Sequence, residues 1–528
     1  MPSLLTCLAL VGLSTASAAI KRQAVVHTTF STTTVTAGPT KTGSAPFLAE
    51  TNPAPFNEQY SFIANAPLET AIPITGNTQN KSIFQLVGQL SSYFPNPDGF
   101  GALEYPLPAG ANISQVHTLH RHGARYPTTG SNVQAFASRI AAAKGKFNAT
   151  GPLGFLNTWT YQLGAEILVP RGRQELFDSG VLHYYNYGKL YNPATKIIAR
   201  TTTQDRMLKS AEYFMAGFFG LDWTKNASLE VIIENPGYNN SLAGYNQCNN
   251  SNLPVSEGGN NATLAWEAVY LNNATARFQS MIKGYNWTLT DTYAAQTMCP
   301  YEEVAFGYSA WCGLFTYAEW LGFEYSIDLN FNGNDGFASP AGRAVGIGYQ
   351  QEILARLQNH TLTTPNTQDN ITLDNNTTTF PLNQTLYFDF SHDTNIMSIL
   401  TAFGLTQFRE NLPETAIPAS RNLIVSHLEP FGARLNIEII KTPQPVPANR
   451  STNYVAGPPT TYVHFILNQR TLPLNVSFPT CGNRVDGWCE LNTFISTQAN
   501  ALSLANYNFA CNGKYPAVPY GNVTNGAP

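Results

Sequence analysis

The run Arg121-His122-Gly123-Ala124-Arg125-Tyr126-Pro127 places an imidazole between two guanidinium groups. Arginine stays protonated at working pH and offers a planar fork of donors suited to phosphate oxygens, so two of them flanking one histidine mark an anion site. His122 is then in attack range of a phosphorus atom held there. Two further places carry related groups: Arg206, in Thr201-Thr202-Thr203-Gln204-Asp205-Arg206, and the pair His392-Asp393.

The elements around these residues share one design. Ile113 to His120 is rich in β-branched and apolar types and reads as a strand ending at the Arg-His motif. Lys196 to Thr201 reads as a second strand, with Thr203 expected to cap a helix that carries Arg206 in its first turn. Met207, Leu208, Ala211, Phe214, Met215, Phe218 and Phe219 recur at helical spacing to about Gly220, which buries one face and aims Arg206 from a helix N-terminus. The bland alternative pairs Arg206 with Asp205 or solvent. Thr385 to Phe390 reads as a third strand, followed by Ser391-His392-Asp393-Thr394 and an apolar helix ending at Gly404. A His-Asp pair is common by chance, but this one stands at the carboxyl end of a strand, where open α/β sheets bind ligands.

These three pieces, in this order, resemble the histidine acid phosphatase family, the branch of the histidine phosphatase superfamily that includes fungal acid phosphatases and phytases. The resemblance runs from about residue 110 to 511 and includes Leu163 to Pro170 with Gly172, and Gly348 to Leu357. It implies that His122 is the nucleophile, that Arg121, Arg125, Arg206 and His392 bind the phosphoryl oxygens, and that Asp393 protonates the leaving group. The expected fold class is α/β with a mainly parallel sheet flanked by helices, the phosphoglycerate mutase-like arrangement, and an inserted, mostly α-helical cap.

The residue types agree with that chemistry. A neutral imidazole attacks phosphorus to give a phosphohistidine that water then hydrolyses. The three arginines stabilise the equatorial oxygens and oppose protonation of His122, while Asp393, facing a phosphate, is expected to have a raised pKa and serve as the acid. Activity in mildly acidic medium follows. No metal or other cofactor is required, because guanidinium groups supply the positive charge. A metallophosphatase built on His117, His120, His122, His392 and Asp393 is the rival enzyme reading, weakened because His117 points to the opposite strand face from His120 and His122. A cytosolic phosphoglycerate mutase would also carry Arg-His-Gly. An inactive cell-wall glycoprotein of the same fold is the non-enzyme alternative.

Secretory features argue against a cytosolic enzyme. Met1 to about Ala18 has a Leu-rich core ending in Ala16-Ser17-Ala18, the pattern of a signal peptide, and Lys21-Arg22 looks like a propeptide site. Sequons at Asn112, Asn148, Asn226, Asn273, Asn286, Asn359, Asn370, Asn383, Asn449 and Asn475 indicate N-glycans, which fits a charged fraction of only 12%. The net charge of −4 leaves no basic field for nucleic acid, and no stretch reaches membrane length. Cys7 goes with the signal, leaving Cys248, Cys299, Cys312, Cys481, Cys489 and Cys511, an even number that implies disulfides outside the cytosol. The sequence alone does not choose the pairing. The family resemblance implies Cys481 with Cys489, Cys248 with Cys511, and Cys299 with Cys312. A secreted or cell-wall location is expected.

The 528 residues divide into a signal peptide and propeptide (1–22), a Ser/Thr-rich arm and extension (23–75), an α/β catalytic domain (76–130, 186–230 and 376–528) and a helical cap (131–185 and 231–375). The expected partner is a small-molecule phosphomonoester. Phytate-selective fungal relatives carry lysines just after the Arg-His-Gly motif, where this chain has Thr128 to Gln134, and again in the region of Leu329 to Gly333. Their absence favours a broad acid phosphatase, with phytate among its substrates, over a dedicated phytase.

Overall fold

The computed structural model describes residues 72–528, all within the unit Ala54–Pro528. The expected signal peptide, the Lys21-Arg22 site and the Ser/Thr-rich arm lie outside the described residues. Eight strands among those described form one sheet: β1 (Asn112–Arg121), β2 (Ile197–Thr202), β3 (Ala227–Ile232), β4 (Leu386–Ser391), β5 (Arg434–Thr442), β6 (Thr460–Leu467), β7 (Arg470–Leu472) and β8 (Cys489–Glu490). Their order is β8-β6-β5-β1-β4-β2-β3, with β7 beside β6. Strands β3, β2, β4 and β1 run parallel, and from β5 onward the pairing is antiparallel. The α/β class read from the sequence is the one observed, and the parallel part carries all three motif loops.

Helices cover both faces. The longer ones are α1 (Asn132–Ala143), α2 (Pro170–Tyr187), α3 (Asp205–Phe219), α4 (Gly258–Tyr270), α5 (Asn272–Met281), α6 (Leu289–Phe306), α7 (Tyr317–Asn334), α8 (Gly342–Leu357) and α9 (Asp393–Phe403). Covered on both sides, β4 is buried throughout and β1 from Val116 to Arg121. Side chains alternate between the faces. Phe388 and Phe390 meet Phe214 of α3, while Tyr387 lies under the Arg356 guanidinium of α8 at 4.6 Å. Helices α4 to α7 share one apolar cluster with the sheet, joining Trp266, Trp311 and Trp320 to Leu119 and Ile437.

The α3 face follows the sequence periodicity, with Met207, Ala211, Phe214, Met215 and Phe218 buried and Gly220 at the C-cap. Its start differs from expectation. Thr203 is not the cap; its amide extends the β2 ladder to the Ile232 carbonyl, so the helix begins later with Gln204 at the N-cap and no side-chain capping bond. Thr203 Oγ1 instead accepts the Glu234 amide at 2.9 Å.

The three disulfides implied by the family resemblance are all formed: Cys248–Cys511, Cys299–Cys312 and Cys481–Cys489. None of the ten sequon asparagines named above is buried. Among the described residues no helix is long and apolar enough to cross a membrane.

Glu267 of α4 is only 5% exposed, and burial alone pushes its carboxyl up to about 7. Because the folded pKa is raised, the stability associated with the protonated form is present below the unfolded value of about 4.3 and is lost as pH rises through the folded one. Glu267→Gln should therefore flatten the fall in thermal stability between acid and neutral pH, by roughly 2–4 kcal/mol across the window. Scanning calorimetry of both proteins at each end checks this; parallel pH profiles would show that the carboxyl does not titrate there.

Candidate active site

Strands β1 and β4 lie side by side in register, with Arg121 opposite Ser391. The next residues of each chain, His122 and His392, therefore leave the sheet together. Their rings meet edge to face with centroids 5.8 Å apart, and both are buried. Asp393, opening α9, reaches back to form an ion pair with Arg121. The third loop, from β2 into α3, supplies Arg206. The structure thus brings the six sequence-derived residues to the carboxyl ends of three neighbouring parallel strands.

Arg121 is fully buried and held from several sides. Its Nη1 donates to the carbonyls of Gln89 and Glu429 at 2.5 and 2.6 Å, its Nη2 donates to Asp393, and its guanidinium lies 4.7 Å from the Phe431 ring. The imidazole of His122 is oriented by its own loop, with Nδ1 2.9 Å from the Gly123 carbonyl. A carbonyl only accepts, so Nδ1 carries the proton and Nε2 keeps its lone pair. Burial first, then Arg121, Arg125, Arg206 and His392, hold His122 well below the usual histidine range. The sequence reading credited the arginines; desolvation is the larger cause.

The loop after His122 is fixed by backbone contact. Ala124 to Pro127 pairs with Glu166 to Val169, and the Ala124 amide donates to the buried Glu175 of α2 at 2.8 Å. A Cβ on Gly123 would lie 2.1 Å from the Gly172 carbonyl oxygen. Gly123→Ala must therefore displace backbone, which costs about 1–3 kcal/mol by overpacking, and a shift of ~1 Å at the nucleophile lowers kcat/KM about 100-fold. Paired thermal melts and kinetics check it; an unshifted melt with full activity would mean that the loop has room.

Other charges complete the site. Arg206 Nη1 donates to Glu166 at 2.8 Å, a partner beyond the Asp205 and solvent of the bland alternative, and Glu166 also accepts the Thr129 amide at 2.8 Å. His392 Nε2 lies 2.9 Å from Glu234, whose two oxygens further accept from Thr202, Gln204 and Tyr245. Burial would raise Glu234, but His392 and these donors hold it below the usual carboxylate range. At Asp393 the protein's own charges pull against the rise expected when it faces a phosphate. Burial pushes it up, yet Arg121 and then Arg125 outweigh that and keep it below its ordinary value.

Glu166, Glu175, Glu234 and Tyr245 received no role from the sequence. Glu234 sits two residues past a strand end, a position that gives a weak signal; the others are joined to the site only by folding. The rival histidine-metal set does not assemble. His117 stacks flat on Tyr387, with centroids 4.5 Å apart, on the sheet face opposite His120, whose Nε2 lies 2.8 Å from Ser179.

A protein-family model for the histidine phosphatase superfamily, branch 2, matches residues 112–468. The chain is 32% identical over 451 residues to a phytase A of Aspergillus fumigatus, covering 80% of this chain and 89% of that one. It is 30% identical over 443 residues to an acid phosphatase of Schizosaccharomyces pombe, covering 78% and 88%. The crystal structure of a phytase from D. castellii superposes with a TM-score of 0.65 at 23% identity, covering 83% of this chain and 90% of that one, and so shares its fold.

Proposed function

Because the chain belongs to branch 2 of the histidine phosphatase superfamily, it is a phosphoric monoester hydrolase, and we propose that it works through a phosphohistidine on His122. The observation that carries this reading is the 2.9 Å contact of His122 Nδ1 with the Gly123 carbonyl, which assigns the proton to Nδ1. An Nε2 lone pair, kept unprotonated by burial and by three guanidinium groups, is a nucleophile beside an anion cradle.

In the proposed reaction Arg121, Arg125, Arg206 and His392 hold the phosphoryl oxygens while Nε2 forms a bond to phosphorus and the ester oxygen leaves. Asp393 gives that oxygen its proton. Water then attacks the phosphohistidine, Asp393 takes a proton from it, and inorganic phosphate departs. Glu234 fixes the His392 ring, and Glu166 restrains Arg206 at the rim. The cap residues, 131–185 and 231–375, read the leaving group. Thr128 to Gln134, the run that leads into the cap, carries threonines and asparagine, and Leu329 to Gly333 carries no lysine, so dense positive charge is lacking there, which supports a broad acid phosphatase that accepts phytate as one substrate among several. A secreted, N-glycosylated protein accords with the leader-like start and the accessible sequons.

The test is phosphate release from p-nitrophenyl phosphate and from phytate at mildly acidic pH, with brief exposure to EDTA. Release from both, with EDTA present, is expected. Loss of activity on chelation would replace the histidine mechanism with a metal-assisted one, and a large preference for phytate would make the protein a dedicated phytase.

A further inference from the structure

Behind the active site, between β2, β4 and α8, lies a second group of ionisable side chains that the phosphatase reaction does not use. Arg200 and Arg356 neutralise two carboxylates there. Arg200 Nε donates to Asp389 at 2.8 Å and its Nη2 to Glu352 at 2.6 Å, while Arg356 Nη1 donates to Asp389 at 2.9 Å. Asp369 and Asp374 remain in excess. Each is at most 3% exposed, and one oxygen of each, Asp369 Oδ1 and Asp374 Oδ2, has no hydrogen-bond donor among the described residues. The nearest guanidinium nitrogen to Asp374, Arg200 Nη1, stands off at 3.8 Å.

An uncharged group converges on the same place. Gln368 is fully buried, and its amide nitrogen is committed to the carbonyls of Ala344 and Val345. Its Oε1 has no donor. A Cβ on Gly348 of α8 would lie 3.1 Å from that Oε1 and 2.8 Å from Asp369 Oδ1, so two acceptor oxygens border one point where α8 has no side chain. Ligand oxygens of Glu352, Asp369 and Asp374 lie within 4.8 Å of one another. Oxygens about 2.3–2.6 Å from one Ca²⁺ fall within such a span. Acceptors buried without donors are costly unless a cation or a proton joins them.

We infer that Glu352, Asp369, Asp374 and the Gln368 amide oxygen bind one divalent cation with a preference for oxygen ligands, Ca²⁺ being the best match. Two uncompensated carboxylates balance its charge, and an all-oxygen donor set with no histidine or cysteine selects a hard ion. The site is structural. Ser241 Oγ donates to Glu352 at 2.6 Å and Asn239 Nδ2 to the Asp369 carbonyl at 3.0 Å, so the ion anchors the segment leading to Tyr245, which holds Glu234 against His392.

The experiment is elemental analysis of the purified full-length protein, with thermal melts in Ca²⁺ and after unfolding and refolding in EDTA. A buried ion is released only on opening, so brief chelation in an activity assay leaves it in place. About one divalent cation per chain is expected, with a melting temperature that rises with Ca²⁺ concentration after stripping. Asp374→Asn and Asp369→Asn should carry no ion and show no response to Ca²⁺. Asparagine resembles a protonated aspartic acid, so the opposite result is equally clear. Wild type without stoichiometric metal, and variants as stable as wild type or more so, would overturn the inference in favour of a shared proton. If the variants fail to fold, the wild-type metal content and Ca²⁺ response decide alone.

Discussion

His122→Ala is expected to lower kcat/KM by at least about 10⁴-fold on every phosphomonoester, because it removes the atom that bonds to phosphorus. The variant should still fold, since the ring's hydrogen bond among the described residues runs to its own neighbour, the Gly123 carbonyl. Acid-labile label trapped on the wild-type protein from a ³²P substrate should vanish in the variant. The same residue bears on pH dependence. Burial and the arginines hold His122 well below the usual range, so protonation removes the nucleophile only at pH values far under about 6.5. Activity should persist into acid. A variant that keeps its activity, or a wild type that falls off as an ordinary histidine titrates, would sink the phosphohistidine mechanism.

Asp393→Asn should cost about 10²–10⁴-fold on alkyl phosphates, whose alkoxide leaving groups need a proton. On p-nitrophenyl phosphate, whose leaving group departs readily as an anion, the loss should be about tenfold smaller. That split between substrates separates an acid from a residue that merely holds Arg121. Arg121 keeps Asp393 low, and a phosphate taking up the guanidinium would release it to be protonated. The stability consequence has a definite sign. A carboxylate with a lowered folded pKa stabilises above its unfolded value of about 3.9, and that contribution is lost as pH falls through the folded pKa. Wild type should therefore lose its stability advantage over Asp393→Asn in strong acid. Equal losses on both substrates would reject the general-acid role.

Much of this site was legible because its residues stand in short, contiguous motifs at strand ends. Arg121, His122 and Arg125 share one loop, and His392 and Asp393 another; the strands before them announce themselves by β-branched and apolar types. The start of α3 was misread because the Thr203 amide completes a ladder bond with a strand about thirty residues away, which no local pattern encodes. The pairing of Asp393 with Arg121 was not legible for a similar reason. Arg121 reaches it only because β1 and β4, far apart in the chain, are adjacent in register.

The sequence by itself determined the fold class, the six candidate site residues and the direction in which His122 titrates. These depend on residue type, on strand and helix periodicity, and on charges placed a few positions apart. Only the tertiary structure decided which carboxylates hold those residues: Glu166 on Arg206, Glu175 on the motif loop, Glu234 on His392, and the surplus of Asp369 and Asp374 behind them. A hydrogen-bond partner is chosen by direction and burial within about 3 Å, and for residues tens to hundreds of positions apart that geometry exists only once the sheet has formed.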